Sequence, residues 1–124
     1  MKPERKFWHE LKKRSSSISW TRLENLSVFG TPDLLGYNTN GTFFTVELKH
    51  TKSNKVRFSP HQIAFHVKHP NNTFILIKQE TLSSCFIKLY EGKRIRELAA
   101  CGLKLEACSL GLESCVTFFE QLGA

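Results

Sequence analysis

Hydrophobic and polar positions along this chain follow two periods, one helical and one extended. Phe7, Trp8 and Leu11 recur at helical spacing after Pro3, a residue that suits the first turn of a helix. The stripe therefore predicts a first helix, which should end in the polar run Arg14–Ser17.

Extended segments follow this helix. Period-two alternation, apolar runs and flanking turn residues predict strands at residues 18–23, about 33–37, 42–49, 73–78 and 85–90. Asn38–Gly41 is a strong turn signal, so the second and third strands should form a hairpin. The apolar run Thr73–Lys78 is typical of a central strand.

Three more helices are predicted between and after these strands. Ser59 is typical of a helix N-cap, and Pro60 suits the first helical position. Together they predict a helix that extends to about Lys68. A short helix is expected at Lys93–Ala100, and a last one at roughly Leu112–Leu122. This order predicts an α/β fold, with a mixed central β-sheet flanked by helices, in one domain over residues 1–124.

The sequence does not indicate a membrane-spanning segment, an export signal or a zinc site. The chain has no apolar run of about 18 residues and no apolar stretch after its basic N-terminus, so a cytoplasmic protein is expected. Its four cysteines, Cys85, Cys101, Cys108 and Cys115, contain no Cys-x-x-Cys pair. We expect them to be reduced and mostly buried.

The positive charge is unevenly distributed. The net charge is +7, and residues 1–22 carry seven basic and two acidic side chains. Residues 49–57 carry four basic side chains and no acid, whereas residues 91–124 carry four basic and five acidic ones. A basic first half suits a polyanion, most simply nucleic acid.

Candidate chemistry lies in the same half. Asp33, the only aspartate, follows Pro32, and Glu47-Leu48-Lys49 follows on the next predicted strand. The hairpin would bring Asp33 opposite Glu47, and strand periodicity puts Glu47 and Lys49 on one face. Two carboxylates, with the Leu48 carbonyl between them as a third ligand, suit Mg²⁺. Such an ion can activate water against a phosphodiester, with Lys49 orienting the water or neutralising charge on the phosphate.

Four blocks of sequence, in order, resemble the phage-encoded VRR-NUC-type branch of the PD-(D/E)xK nucleases: Trp20–Asn25, Gly30–Leu34, Phe44–Lys49 and Phe58–Gln62. The resemblance covers about residues 4–100, and Holliday junction resolvases share the same small core. It implies a restriction-endonuclease-like core, dependence on Mg²⁺ or Mn²⁺, and homodimers that act on branched DNA. A phage-encoded protein of this kind would work in the host cytoplasm.

The resemblance also implies further site residues. Relatives carry an acid in the first helix, for which Glu4 is the choice and Glu10 the runner-up, and Gln62 matches a family glutamine that can hydrogen-bond the site. Glu24 is expected to pair with Arg22. Phosphate contacts are expected from basic and polar side chains of the first half: Arg14, Ser17, Arg22, Lys52, Lys55, Arg57 and His61.

Two other groups of residues bear on this interpretation. His61, His66 and His69 are expected to be surface or DNA-facing residues, because no cysteine or carboxylate lies near them in sequence. Phe118, Phe119 and Leu122 of the last helix can serve the core or a dimer interface.

We therefore expect a metal-dependent, structure-specific DNA endonuclease that resolves four-way junctions as a homodimer. Alternatives are a phage nickase, an end-processing or DNA-degrading nuclease, and a catalytically silent DNA-binding module. A protein-binding phage regulator with an incidental motif is the remaining one.

Overall fold

The structure is a computed structural model and describes residues 2–23 and 30–124. Within these residues, six strands form one mixed sheet whose spatial order is the order of the sequence. The strands are β1 (Ser19–Arg22), β2 (Leu34–Tyr37), β3 (Phe43–Thr51), β4 (Thr73–Glu80), β5 (Cys85–Glu91) and β6 (Ser109–Leu110). Neighbours pair antiparallel except β3 and β4, which are parallel.

Four α-helices in the described part of the chain flank the sheet: α1 (Pro3–Arg14), α2 (Pro60–Lys68), α3 (Ile95–Cys101) and α4 (Leu112–Gln121). The helix α2 is the crossover that a parallel β3–β4 pair requires. Among the described residues no helix is long and apolar enough to cross a membrane. The predicted α/β class, with a mixed central sheet between helices, is confirmed.

Each face of the sheet has its own core. On one face α1 and α4 pack Phe7, Leu11 and Phe119 against Phe44 and Val46 of β3. On the other face, residues of β4 and β5 pack against α3 and the segments beside it: Val56, Ile75, Ile77, Tyr90, Ile95, Leu98 and Leu103. Because side chains alternate along β3, the strand contributes apolar residues to the first face and leaves Glu47 and Lys49 on the second.

The β2–β3 hairpin also holds the C-terminal helix. Asn38 Nδ2 donates to the carbonyl oxygens of Phe119 at 2.9 Å and Leu122 at 2.8 Å, so the turn binds carbonyls at the end of α4. Phe119 lies in the core, stacked on Phe44 at a centroid distance of 4.9 Å. These contacts give the last helix a role within the fold.

Three expectations from the sequence need correction. β6 was not predicted, because a two-residue strand has no periodicity to detect. Of the cysteines only Cys115 is buried, and the other three are exposed and unpaired, since they lie in or beside surface elements.

His66 is the third correction. It is fully buried on the inner side of α2, where Nδ1 lies 2.9 Å from the carbonyl oxygen of Gln62. Burial lowers the pKa of this histidine. His61 and His69 are exposed, as expected. Glu24, and with it the expected Glu24–Arg22 pair, lies outside the described residues.

Candidate active site at the end of strand β3

Asp33 lies where the chain enters β2, and the residues before it fix its position. Gly30 has φ +82°, and a Cβ there would lie 2.2 Å from the carbonyl oxygen of His61, so only glycine allows this approach to α2. Asp33 Oδ2 accepts a hydrogen bond from the backbone N–H of Leu48 at 2.7 Å. The carboxylate is therefore held against β3 by the strand itself.

Glu47 faces Asp33 across the hairpin, as predicted. The pair Leu34–Val46 sets a register in which the next residues are Asp33 and Glu47. Glu47 is only 3% exposed, and its buried Oε1 has no hydrogen-bond partner among the described residues. An unpartnered carboxylate oxygen at this depth is costly unless a cation or a proton compensates it.

The pKa of Glu47 is shifted in keeping with this lack of a compensating charge. Burial, followed by the charge and the hydrogen-bonding contact of the Asp33 carboxylate, raises the pKa of Glu47 to about 9, and Lys49 only partly opposes this. Two adjacent carboxyl groups thus share too little positive charge to ionise together near neutral pH.

Gln62 connects Glu47 to Lys49. Lys49 Nζ donates to Gln62 Oε1 at 3.1 Å, and Gln62 Nε2 lies 3.4 Å from Glu47 Oε2. Lys49 Nζ also lies 5.2 Å from the centre of the Phe58 ring. The expectation that Gln62 hydrogen-bonds the site agrees with this geometry, in which its amide separates the cation from the acid.

Beside Asp33 an open cleft of about 930 Å³ separates α1 from the sheet. Its lining includes Glu4, Asp33 and Leu48 together with three cations, which are Lys2, Arg5 and Arg22. Partial burial, and then the charge of Asp33, raises the pKa of Glu4, while Lys49 and His50 oppose this. Glu4 therefore belongs to the same electrostatic unit as Asp33 and Glu47.

Glu10, the other acid of α1, points elsewhere and forms an ion pair with Lys78 of β4 at 2.5 Å. Within residues 2–23 and 30–124, no three His, Cys, Asp or Glu side chains converge closely enough to hold a metal ion. Asp33 and Glu47 thus form a two-carboxylate site, with Glu4 at its rim.

Lys2 and Arg5 were not singled out from the sequence, although the basic cluster of residues 1–22 contains them. Trp8 forms the wall between them and β1, and the guanidinium of Arg22 lies 5.8 Å from its ring centre. The helical period could have indicated that Arg5 lies next to Glu4 and on the turn below Trp8.

Two of the predicted phosphate-contacting residues lie away from the site. Arg14 pairs with Glu113 at 3.2 Å, and Ser17 donates to Glu120 at 2.5 Å. Both contacts join the far end of α1 to α4. The structure therefore does not bring them together with Asp33.

The basic loop after β3 carries Lys52, Lys55 and Arg57 on its exposed side. Gln79 Nε2 donates to Ser53 O at 3.2 Å and to Asn54 Oδ1 at 3.0 Å, and Asn54 O accepts from Leu103 N at 2.7 Å. The loop is thereby attached to β4 and to the segment after α3. His61 is exposed on the first turn of α2, beside Gln62.

No protein-family model matches the chain, and no curated protein matches it. Among solved structures, it is similar to Hjc, a Holliday junction resolvase from Archaeoglobus fulgidus, with 18% identity over 73% of this chain and 74% of that one. The TM-score is 0.49.

Proposed function

We propose that this chain is a metal-dependent nuclease that hydrolyses DNA phosphodiester bonds at the Asp33–Glu47–Lys49 site. One observation carries the proposal: two carboxylates meet across the β2–β3 hairpin, and a buried oxygen of one of them has no hydrogen-bond partner in the part of the chain that the structure describes. A structural ion pair would have filled that position with a cation from the protein. A site that recruits its cation from solution would leave it open.

The donor set fits Mg²⁺, with Mn²⁺ as a substitute. Asp33 and Glu47 supply the hard oxygen ligands, and the Leu48 carbonyl is proposed as a third. Mg²⁺ commonly takes one or two carboxylates and keeps several waters, so two acids suffice. Glu4 at the rim would then help to hold the ion. When bound, the ion would polarise a phosphoryl oxygen and lower the pKa of a coordinated water.

The remaining residues would position the DNA and offset the negative charge of its phosphates. Lys49, held by Gln62 Oε1 at 3.1 Å, presents a positive charge beside the acids and would offset charge that grows on the phosphate. Lys2, Arg5 and Arg22 line the cleft and would bind the phosphates that flank the cut. Lys52, Lys55, Arg57 and His61 would extend this contact along the DNA.

Branched DNA, and four-way junctions in particular, is the proposed substrate. The support is the resemblance of four sequence blocks to nucleases of this type, together with the cationic cleft beside the acids. Resolving a junction takes two cuts related by symmetry, so we propose a homodimer with two sites. Light scattering on the purified protein would test the dimer, and a strict monomer would exclude paired resolution.

Cleavage of a labelled four-way junction beside a linear duplex of the same sequence tests the function. Each substrate is incubated with Mg²⁺, Mn²⁺ or EDTA, and Asp33→Asn is the control protein. Paired nicks on the junction alone, abolished by EDTA and by the substitution, are expected. Cutting of both substrates would retain the nuclease and reject the junction. Binding without any cutting would point to a silent DNA-binding module.

A further inference from the structure

The first turn of α2 touches the candidate site, and Gln62 belongs to both. The Ser59 hydroxyl accepts a hydrogen bond from the backbone N–H of Gln62 at 3.1 Å, and the Ser59 backbone N–H donates to Gln62 Oε1 at 3.0 Å. This reciprocal arrangement is a capping box. The same Oε1 accepts from Lys49, so one oxygen serves the helix cap and the site.

The capping box determines which way the Gln62 amide faces. Two donors, the Ser59 N–H and the Lys49 ammonium, converge on Oε1, so the NH₂ group is left facing Glu47. A flipped amide would set its NH₂ against both donors and its oxygen against a carboxylate. The chemistry of the neighbours therefore permits one orientation only.

That orientation keeps Lys49 and Glu47 apart. Among the described residues Lys49 forms no ion pair with Glu47, because the amide lies between them. Phe58, immediately before the cap, confines the ammonium on another side, with its ring centre 5.2 Å from Nζ. Without this spacer the ammonium would be free to pair with the carboxylate and would compete with a metal ion for its oxygens.

We propose that Ser59 is a positioning residue that acts through Gln62, with Phe58 as a second confining wall for Lys49. The capping box holds the amide that separates the lysine from the acid. This inference rests on the proposed nuclease function for its kinetic consequence, whereas its structural content concerns the protein alone. It is therefore tested both with and without DNA.

Three variants make the kinetic test: Ser59→Ala, Ser59→Thr and Val67→Gly. Threonine retains the capping hydroxyl. Val67→Gly weakens the last turn of α2 at a 43% exposed position, far from Gln62, and controls for helix stability. Single-turnover cleavage should slow about tenfold in Ser59→Ala, with the half-saturating DNA concentration unchanged within twofold. Ser59→Thr should restore the rate, and Val67→Gly should retain it at temperatures below its melting transition.

Amide hydrogen exchange, followed by nuclear magnetic resonance without metal or DNA, is the second test. The Gln62 side-chain NH₂ should exchange slowly in the unmodified protein and in Ser59→Thr, and faster in Ser59→Ala. Equal exchange in all three, or equal slowing of cleavage by Ser59→Ala and Val67→Gly, would overturn the inference. If no protein cleaves DNA, the proposed function fails, and the exchange measurement still decides whether Ser59 positions Gln62.

Discussion

The neighbouring strands β3 and β4 each carry a lysine with a glutamate nearby. The two arrangements differ in whether the lysine contacts the glutamate directly. On β4, Lys78 contacts Glu10 of α1 directly at 2.5 Å. Burial acts against the charge of Lys78, but the hydrogen bond and the charge of Glu10 raise its pKa overall. On β3, Lys49 and Glu47 are held apart by the Gln62 amide, and Glu47 is left with a raised pKa.

The difference separates a structural pair from the proposed metal-binding site. Glu10 and Lys78 satisfy each other, so they join α1 to the sheet and need nothing from solution. Glu47 lies next to a second acid and keeps a buried oxygen that has no hydrogen-bond partner among the described residues, so it gains most from an added cation. The same two residue types thus serve stability in one place and, under the proposed function, chemistry in the other.

Replacing the glutamate of each arrangement should give the largest difference in cleavage rate between the two. Glu47→Gln should reduce Mg²⁺-dependent cleavage of DNA by about 10³-fold or more, because it removes one of the proposed metal ligands. Glu10→Gln should leave cleavage within about threefold, since Glu10 pairs with Lys78 of β4 and not with a residue of the proposed site. Single-turnover rates at saturating DNA measure both. Equal losses would mean that Glu10, and not Glu4, is the functional acid of α1.

Metal binding without DNA should depend steeply on pH. With its pKa raised to about 9, Glu47 is mostly protonated at pH 7 and must release its proton when a cation binds. The affinity for Mn²⁺ should therefore rise about tenfold per pH unit until pH 9 and then level off. Calorimetry in two buffers of different ionisation enthalpy should show about one proton released per ion at pH 7. An affinity independent of pH would contradict this role for Glu47.

In the absence of metal, replacing Glu47 and replacing Glu10 should change the free energy of unfolding in opposite directions. Glu47 has a pKa near 4.5 when unfolded and about 9 when folded, so folding takes up a proton between these values. Its stabilising contribution is complete below pH 4.5 and is lost as the pH rises through 9. Glu47→Gln should therefore be more stable than the unmodified protein at pH 8 by about 1–3 kcal/mol, a gap that closes towards pH 4.5.

Glu10→Gln should instead be less stable by about 1 kcal/mol, because it removes the negative charge nearest to Lys78. Urea unfolding at several pH values, in EDTA, compares the two variants with the unmodified chain. A pH-independent difference for Glu47→Gln would show that the folded protein does not raise the pKa of this carboxyl.

Local patterns predicted the hairpin and the faces of β3 because both depend on short sequence separations. The Asn38–Gly41 turn and period-two alternation were enough to place Asp33 opposite Glu47, and Lys49 on the same face as Glu47. Ser59-Pro60 likewise indicated where α2 begins. The central part of the candidate site could therefore be predicted from the sequence without knowledge of tertiary contacts.

Contacts between distant segments could not be read in this way. The Glu10–Lys78 pair spans 68 residues, and nothing local distinguishes Glu10 from Glu4 as the functional acid. The burial of His66 depends on the approach of Gly92, where an added Cβ would lie 2.4 Å from the imidazole. Such features arise only when the layers of the fold pack together.

The last prediction extends the comparison to two arginines of α1. Arg14 pairs with Glu113 at one end of the helix, whereas Arg5 lines the cleft beside Asp33 at the other. If Arg5 contacts a phosphate, Arg5→Gln should weaken DNA binding severalfold and reduce the slope of log affinity against log salt concentration by about 0.9. Arg14→Gln should leave that slope unchanged. Fluorescence anisotropy with labelled DNA between low and moderate salt, in EDTA to prevent cleavage, measures both slopes. A larger effect from Arg14 would place the DNA along the α1–α4 side of the molecule and away from the two carboxylates.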